Sequence, residues 1–180
     1  ATVKGLTPEE VRGAGAQVVL SNAYHLYLRP GVETVKKLGG LHKLMGWDGP
    51  SLTDRGGFPD FSMGPLRKVS DDGIKFRSHI DGSEHNFTPK LATYNQESLA
   101  PDIAMCFDQC IAYGATEKEV HQAMERTHRW AKECYDAHQV SPTGADSGQA
   151  LFGIVQGGTF ESLRDESAHV VSEIPFHGYA

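Results

Sequence analysis

A chain of 180 residues that is 39% hydrophobic is long enough to enclose one core. Its formal charge of −6 and pI near 5.8 exclude a surface that holds nucleic acid by overall positive charge, while leaving room for a local basic patch. Three cysteines (Cys106, Cys110, Cys134) match no disulfide framework, the nine histidines show no zinc-finger spacing, and no apolar run reaches the roughly 18 residues of a membrane span. With no charged leader ahead of an apolar stretch either, the expectation is a cytoplasmic protein with no membrane association.

Thr7 as N-cap, Pro8 at the first helical position and the acidic pair Glu9 and Glu10 predict a short helix ending by Gly13 or Gly15. Ala16 to Asn22 is a β-branched run suited to a parallel strand, followed by the polar and aromatic cluster Asn22, Tyr24, His25 and Arg29. That cluster is either a site at a strand end or a set of groups satisfying loop carbonyls. Residues 32–46 predict short amphipathic helical turns interrupted at Gly39-Gly40. The strand Pro50 to Asp54 then delivers a carboxylate to Gly56-Gly57, which reads equally as turn chemistry or as a functional strand end.

From about residue 58 to 89 the chain is rich in Gly, Asp and Ser. Alternation over Ile74–Ile80 and turn signals at residues 71–73 and 81–83 predict a small antiparallel insertion, made locally basic by Lys68, Lys75, Arg77 and Lys90. Strand alternation explains His79, Asp81 and His85 better than a metal site does. Thr88-Pro89 opens a helix to Leu99, and the strand Pro101 to Phe107 ends in Asp108-Gln109-Cys110. A long helix over Glu117–His138 has Thr116 and Glu119 placed for a capping box and a buried stripe of Val120, Ala123, Met124, Thr127, Trp130, Ala131 and Cys134. After the polar loop 141–148 come a strand over Ala150–Val155 ending in Gln156-Gly157-Gly158, a helix over Phe160–Ile174, and the start of one more strand at Phe176.

Strands and helices alternate as in repeated βα units, and four strand ends present Asn22, Asp54, Asp108 and Gln156. In a (β/α)8 barrel all strand C-termini open on one face, so these four converge. The four or five strands legible here fall short of the eight, and of the roughly 250 residues, of a closed barrel, so the fold class expected is α/β, a partial TIM barrel over residues 1–180.

The same stretches carry a resemblance. Ser21 to Gly31 (SNAYHLYLRPG), Leu52 to Phe58 (LTDRGGF), Phe76 to Ser83 (FRSHIDGS), Phe107 to Cys110 (FDQC) and Leu151 to Gly158 (LFGIVQGG) resemble successive motifs of the tRNA-guanine transglycosylases, or queuine tRNA-ribosyltransferases. The resemblance implies a pentosyl transferase of queuosine biosynthesis. Such enzymes exchange guanine at the wobble position of a tRNA anticodon loop for queuine or preQ1, through a covalent intermediate on one aspartate, while a second aspartate handles protons. It implies Asp54 as the acid/base; Asn22, Phe58, Asp108, Gln156 and Gly157 as substrate-binding residues; and Arg55, Lys68 and Arg77 as candidate tRNA contacts. Breaking a glycosidic bond through an oxocarbenium-like transition state calls for such a nucleophile and proton handler. The target base must also leave its stack, which an anticodon loop permits.

The family's nucleophilic aspartate and its structural zinc ligands, three cysteines and a histidine, are expected beyond the equivalent of Ala180, so this stretch is expected to be a fragment without metal or cofactor, inactive alone. The full-length form is expected to be a homodimer or heterodimer. Arg55 and Pro59 stand where the family has a serine and a glutamine, and Gln109 where a glutamate is usual. A guanidinium beside Asp54 favours its ionised form. Arg55 and Pro59 support an alternative, a noncatalytic transglycosylase-like subunit that binds tRNA or a partner. A weaker third reading is an unrelated barrel hydrolase using Asp54 and Asp108.

Overall fold

The computed structural model describes residues 5–54, 67–141, 144 and 148–180. Its centre is a five-stranded parallel sheet of β1 (Val19–Asn22), β2 (Ser51–Asp54), β6 (Ile103–Met105), β7 (Ala150–Gly153) and β8 (Gly178–Tyr179), ordered β1-β2-β6-β7-β8. The spatial order is the chain order, so each strand is laid beside the previous one and all carboxyl ends share one edge. Helices fill the connections: α1 (Pro8–Gly13), α2 (Ala23–Leu28), α3 (Val32–Lys37), α4 (Leu41–Met45), α5 (Pro89–Leu99), α6 (Glu117–Val140) and α7 (Glu161–Ser172). Between β2 and α5, β3 (Arg67–Ser70), β4 (Gly73–Arg77) and β5 (Glu84–Phe87) form a separate antiparallel sheet.

The helix starts follow local chemistry. Thr7 and Glu10 close a capping box at α1, and Thr116 and Glu119 close another at α6, each satisfying two backbone donors that have no partner within the helix. Thr88 caps α5 with its hydroxyl accepting from the Leu91 N–H at 3.2 Å. Gly39 and Gly40 both take positive φ and separate α3 from α4. The strands are shorter than the apolar runs suggest: β1 begins at Val19 rather than Ala16, and β6 covers only Ile103–Met105. The expected Ile74–Ile80 strand ends at Arg77 and turns at residues 79–81.

One correction concerns residues 23–28, read from sequence as an irregular strand-end cluster. They form helix α2, because Asn22 has extended backbone and its Oδ1 accepts the His25 N–H at 3.2 Å. Tyr24 is thereby turned into the core, where it meets Phe76 of the antiparallel sheet at 5.4 Å between ring centroids.

The main core lies between the sheet and α6. Trp130 is fully buried and stacks on Phe107 with centroids 4.5 Å apart, beneath the end of β6. Every residue of the expected α6 stripe is buried, Cys134 included, and His138 extends it.

Candidate active site

The parallel register fixes where the polar strand ends lie. Asn22 and Asp54 are direct Cα partners at the ends of β1 and β2, Asp108 follows β6, and Gln156 follows β7. The four lie along one edge of the sheet, on four adjacent strands. Asp108 and Gln156 are in contact: the Gln156 side-chain amide donates to Asp108 Oδ2 at 2.9 Å. Both are half-buried. A carboxylate and a primary amide joined in this way present acceptors and a further N–H donor in a fixed relation, which suits recognition of a flat, hydrogen-bonding heterocycle.

The supports behind this edge were not legible in sequence. Thr53, fully buried and immediately before Asp54, donates its hydroxyl to Gln96 Oε1, and Gln96 Nε2 donates to the Met105 carbonyl. Gln96 of α5 thus ties the ends of β2 and β6 together directly behind the two aspartates. A buried glutamine in a helix reads only as an irregularity in an amphipathic pattern, so periodicity gives no sign of this role.

Asn22 spends its side-chain oxygen on capping α2, leaving its amide nitrogen as the group available toward Asp54. Gly157 is buried with φ +114°, and a Cβ there would stand 2.5 Å from the Arg164 backbone nitrogen. Only glycine lets the chain after Gln156 pass this close to α7; its carbonyl accepts the Phe160 N–H at 3.1 Å. Phe58 and Arg55 lie outside the described residues. Arg77 pairs across strands with Glu84, its Nη2 2.8 Å from Oε1. Lys68 is exposed and stands opposite the equally exposed Lys75.

Two other polar constellations invite a chemical reading. Ser51, His42 and Asp102 sit within hydrogen-bond reach, but the Ser51 hydroxyl and Asp102 Oδ2 both approach the same imidazole nitrogen, at 3.2 and 3.0 Å. A nucleophile-base-carboxylate relay needs them on opposite nitrogens. The group lies at the amino-terminal edge of the sheet, away from the four strand ends, and stitches α4 to β2 and β6. Burial works to raise the Asp102 pKa, yet the Ser51 backbone N–H and hydroxyl, with His42, hold it below the usual range. In the second constellation His79 and His85 accept or donate to the Tyr24 and Tyr27 hydroxyls at 3.1 and 3.0 Å, and Ser83 holds the Asp81 carboxyl down at about 2. These contacts fasten α2 to the antiparallel sheet. Among the described residues no three His, Cys, Asp or Glu side chains gather to hold a metal ion.

A cavity of about 570 Å3 touches the strand-end row only at Asn22. It lies beside β1 among Leu6, Val11, Leu26, Leu44 and Trp47, and its lining is mostly apolar. The chemistry points instead to the row of strand ends, where ionisable and amide groups meet.

A parallel α/β sheet with carboxylates and amides along its carboxyl-end edge belongs to the class of α/β folds that hold ligands at strand termini. The family model for queuine tRNA-ribosyltransferase matches residues 1–180, and the chain belongs to that family. The chain is similar to proteins named queuine tRNA-ribosyltransferase from Pelotomaculum thermopropionicum (56% identical over 180 residues, all of this chain and 47% of the relative) and Desulforamulus reducens (52% over 179 residues, 99% and 47%). A third, from Moorella thermoacetica, is 51% identical over 179 residues, 99% of this chain and 46% of the relative. The chain spans about half the length of these curated relatives.

Proposed function

We propose that the full-length protein exchanges guanine at the wobble position of tRNA for a 7-deazaguanine, queuine or preQ1, and that this stretch supplies the proton-handling and base-reading half of the site. The observation that carries the reading is the Asp108–Gln156 contact at 2.9 Å on the strand-end edge that also bears Asp54. In this reading Asp108 accepts N–H donors from the guanine edge, the second amide hydrogen of Gln156 donates to its carbonyl oxygen, and the Gly157 backbone lines the base. Asp54 gives a proton to the departing base and takes one from the incoming base, oriented by the Asn22 amide. Phe58 stacks on the ring. The ribose-attacking aspartate and the zinc ligands belong to the remaining half of the longer relatives, and no step assigned here uses the metal.

The partial sheet is read as part of a (β/α)8 barrel closed by the remaining strands, with the antiparallel sheet as an insertion. On that sheet Lys68 and its cross-strand neighbour Lys75 form a like-charged pair, which on its own is unfavourable and which a phosphate relieves. The tRNA contact is therefore assigned to Lys68 before Arg77, whose charge is matched by Glu84. Cytoplasmic location and a two-subunit assembly complete the proposal.

Labelled guanine offered to tRNA with the full-length protein tests it. Incorporation by the wild type, lost in Asp54→Asn, is the expected result. Tight tRNA binding with no incorporation would favour the second reading, a noncatalytic subunit, for which Arg55 and Pro59 inside the Asp54 motif are the supporting observation.

A further inference from the structure

Three consecutive residues of α6 bond to residues that support the two halves of the Asp108–Gln156 pair. Arg126 Nη1 donates to Gln109 Oε1 at 2.6 Å, and the Thr127 hydroxyl accepts the Gln109 backbone N–H at 3.0 Å while donating to the Ala123 carbonyl. The residue after Asp108 is therefore held at side chain and backbone by adjacent positions of one helix. On the other side, His128 Nε2 lies 2.9 Å from the Ser167 hydroxyl of α7, and that hydroxyl accepts the Gln156 backbone N–H at 2.9 Å. Thr127 and Ser167 are fully buried, so the accepting side of each contact is shielded from bulk water.

Arg126 is itself anchored. Its Nε and the Arg129 Nη2 both donate to Asp71 Oδ1, at 3.0 and 2.9 Å, and the Trp130 indole donates to the Asp71 carbonyl at 2.6 Å. The turn between β3 and β4 thus grips α6 at the turn of helix that carries Arg126. With His128 neutral, the Ser167 hydroxyl donates to Nε2 while receiving the Gln156 N–H. Burial, partly offset by Glu166 and Glu125, keeps the His128 pKa below its usual value, in agreement with that arrangement.

We infer that Arg126, Thr127 and His128 are positioning residues that set the spacing of Asp108 and Gln156, Arg126 and Thr127 through Gln109 and His128 through Ser167. The inference rests on the base-reading role proposed for the pair. None of the three touches the base itself; each acts through another residue. Their function is to hold a carboxylate and an amide on two different strands at one separation, and a site that discriminates by hydrogen-bond geometry is sensitive to small losses of such support.

The test compares full-length wild type with Arg126→Met and Ser167→Ala. Each variant is measured for guanine exchange kinetics, for guanine against hypoxanthine, which lacks the exocyclic amine, and for thermal stability, and each is crystallised. A rise of roughly tenfold in KM for guanine, with kcat within a few-fold of wild type and a weakened preference over hypoxanthine, is expected from the loss of one partly buried hydrogen bond of support. A lowered Tm with unchanged KM and unchanged discrimination would show a merely structural role and overturn the inference. Should wild type neither bind nor exchange guanine, the base-exchange reading fails separately. The variants' crystal structures then decide: a displaced Asp108–Gln156 pair upholds the positioning role, and an unmoved pair overturns it.

Discussion

Asp54 and Asp108 are the same residue type at neighbouring strand ends, and their surroundings differ as the roles proposed for them do. Asp108 is joined to an amide and braced by a helix, whereas Asp54 follows the anchored Thr53 at the edge where Asn22 is its register partner. A residue that only reads the base and a residue that moves protons should respond differently to substitution. Asp54→Asn is expected to abolish exchange while leaving guanine binding within a few-fold, as measured by calorimetry on the full-length protein. Loss of both together would place Asp54 in base recognition instead. The chemical residue types at these ends were legible in sequence because a carboxylate directly after an apolar run is conspicuous. Their bracing was not, since Gln96, Arg126, His128 and Ser167 act across long sequence separations that no local pattern records. The capping role of Asn22 was missed for a different reason: the helix it starts carries no acidic first turn, and Asn22, Tyr24, His25 and Arg29 read as a polar and aromatic cluster after a strand.

At the scale of elements, α6 is the part on which the rest depends. Its stripe, its capping box and its length to His138 follow from helical periodicity, and the structure agrees residue by residue along the stripe. On the face away from that stripe, Arg126 and Arg129 hold the turn of the antiparallel sheet. Removing the cap with Thr116→Ala is expected to cost about 1 kcal/mol of stability by urea unfolding. Truncating the buried Trp130 to alanine is expected to cost about 3–5 kcal/mol, because it forfeits the stack on Phe107 and leaves a cavity under β6. Equal effects of the two substitutions would contradict this account of where α6 draws its stability.

For the whole molecule, protonation sets the range of stability. Burial, reinforced by His177 and opposed by the Gln149 backbone, lowers the pKa of the fully buried His138, and burial lowers that of His128. A group whose pKa is depressed on folding adds stability above its unfolded value, near 6.5 for histidine, and that stability is lost as the pH falls through the folded value. Asp102 and Asp71 follow the same rule lower down, below about pH 4, Asp71 through its bonds to Arg126 and Arg129. Unfolding midpoints are therefore expected to fall from pH 7.5 toward pH 5.5, with a shallower slope in His138→Gln; an identical slope would rule out His138 as a source. Chain-order winding of the parallel sheet was legible from the βα alternation. The short extent of β6 was not, because its apolar run continues past the paired residues into the buried Cys106 and Phe107, and at β1 the run begins ahead of the pairing, at the exposed Gln17 and Val18.

In the proposed function the Asp108–Gln156 pair reads a guanine-like base in a tRNA exchange. The most direct test of this reading is incorporation of labelled guanine at the wobble position by the full-length protein, as a function of guanine concentration, for wild type and Asp108→Asn. The account predicts incorporation by the wild type and a fall of about tenfold to a hundredfold in kcat/KM in the variant, the range for losing a charged hydrogen-bond acceptor. Undiminished incorporation in Asp108→Asn, or none in the wild type, would contradict it.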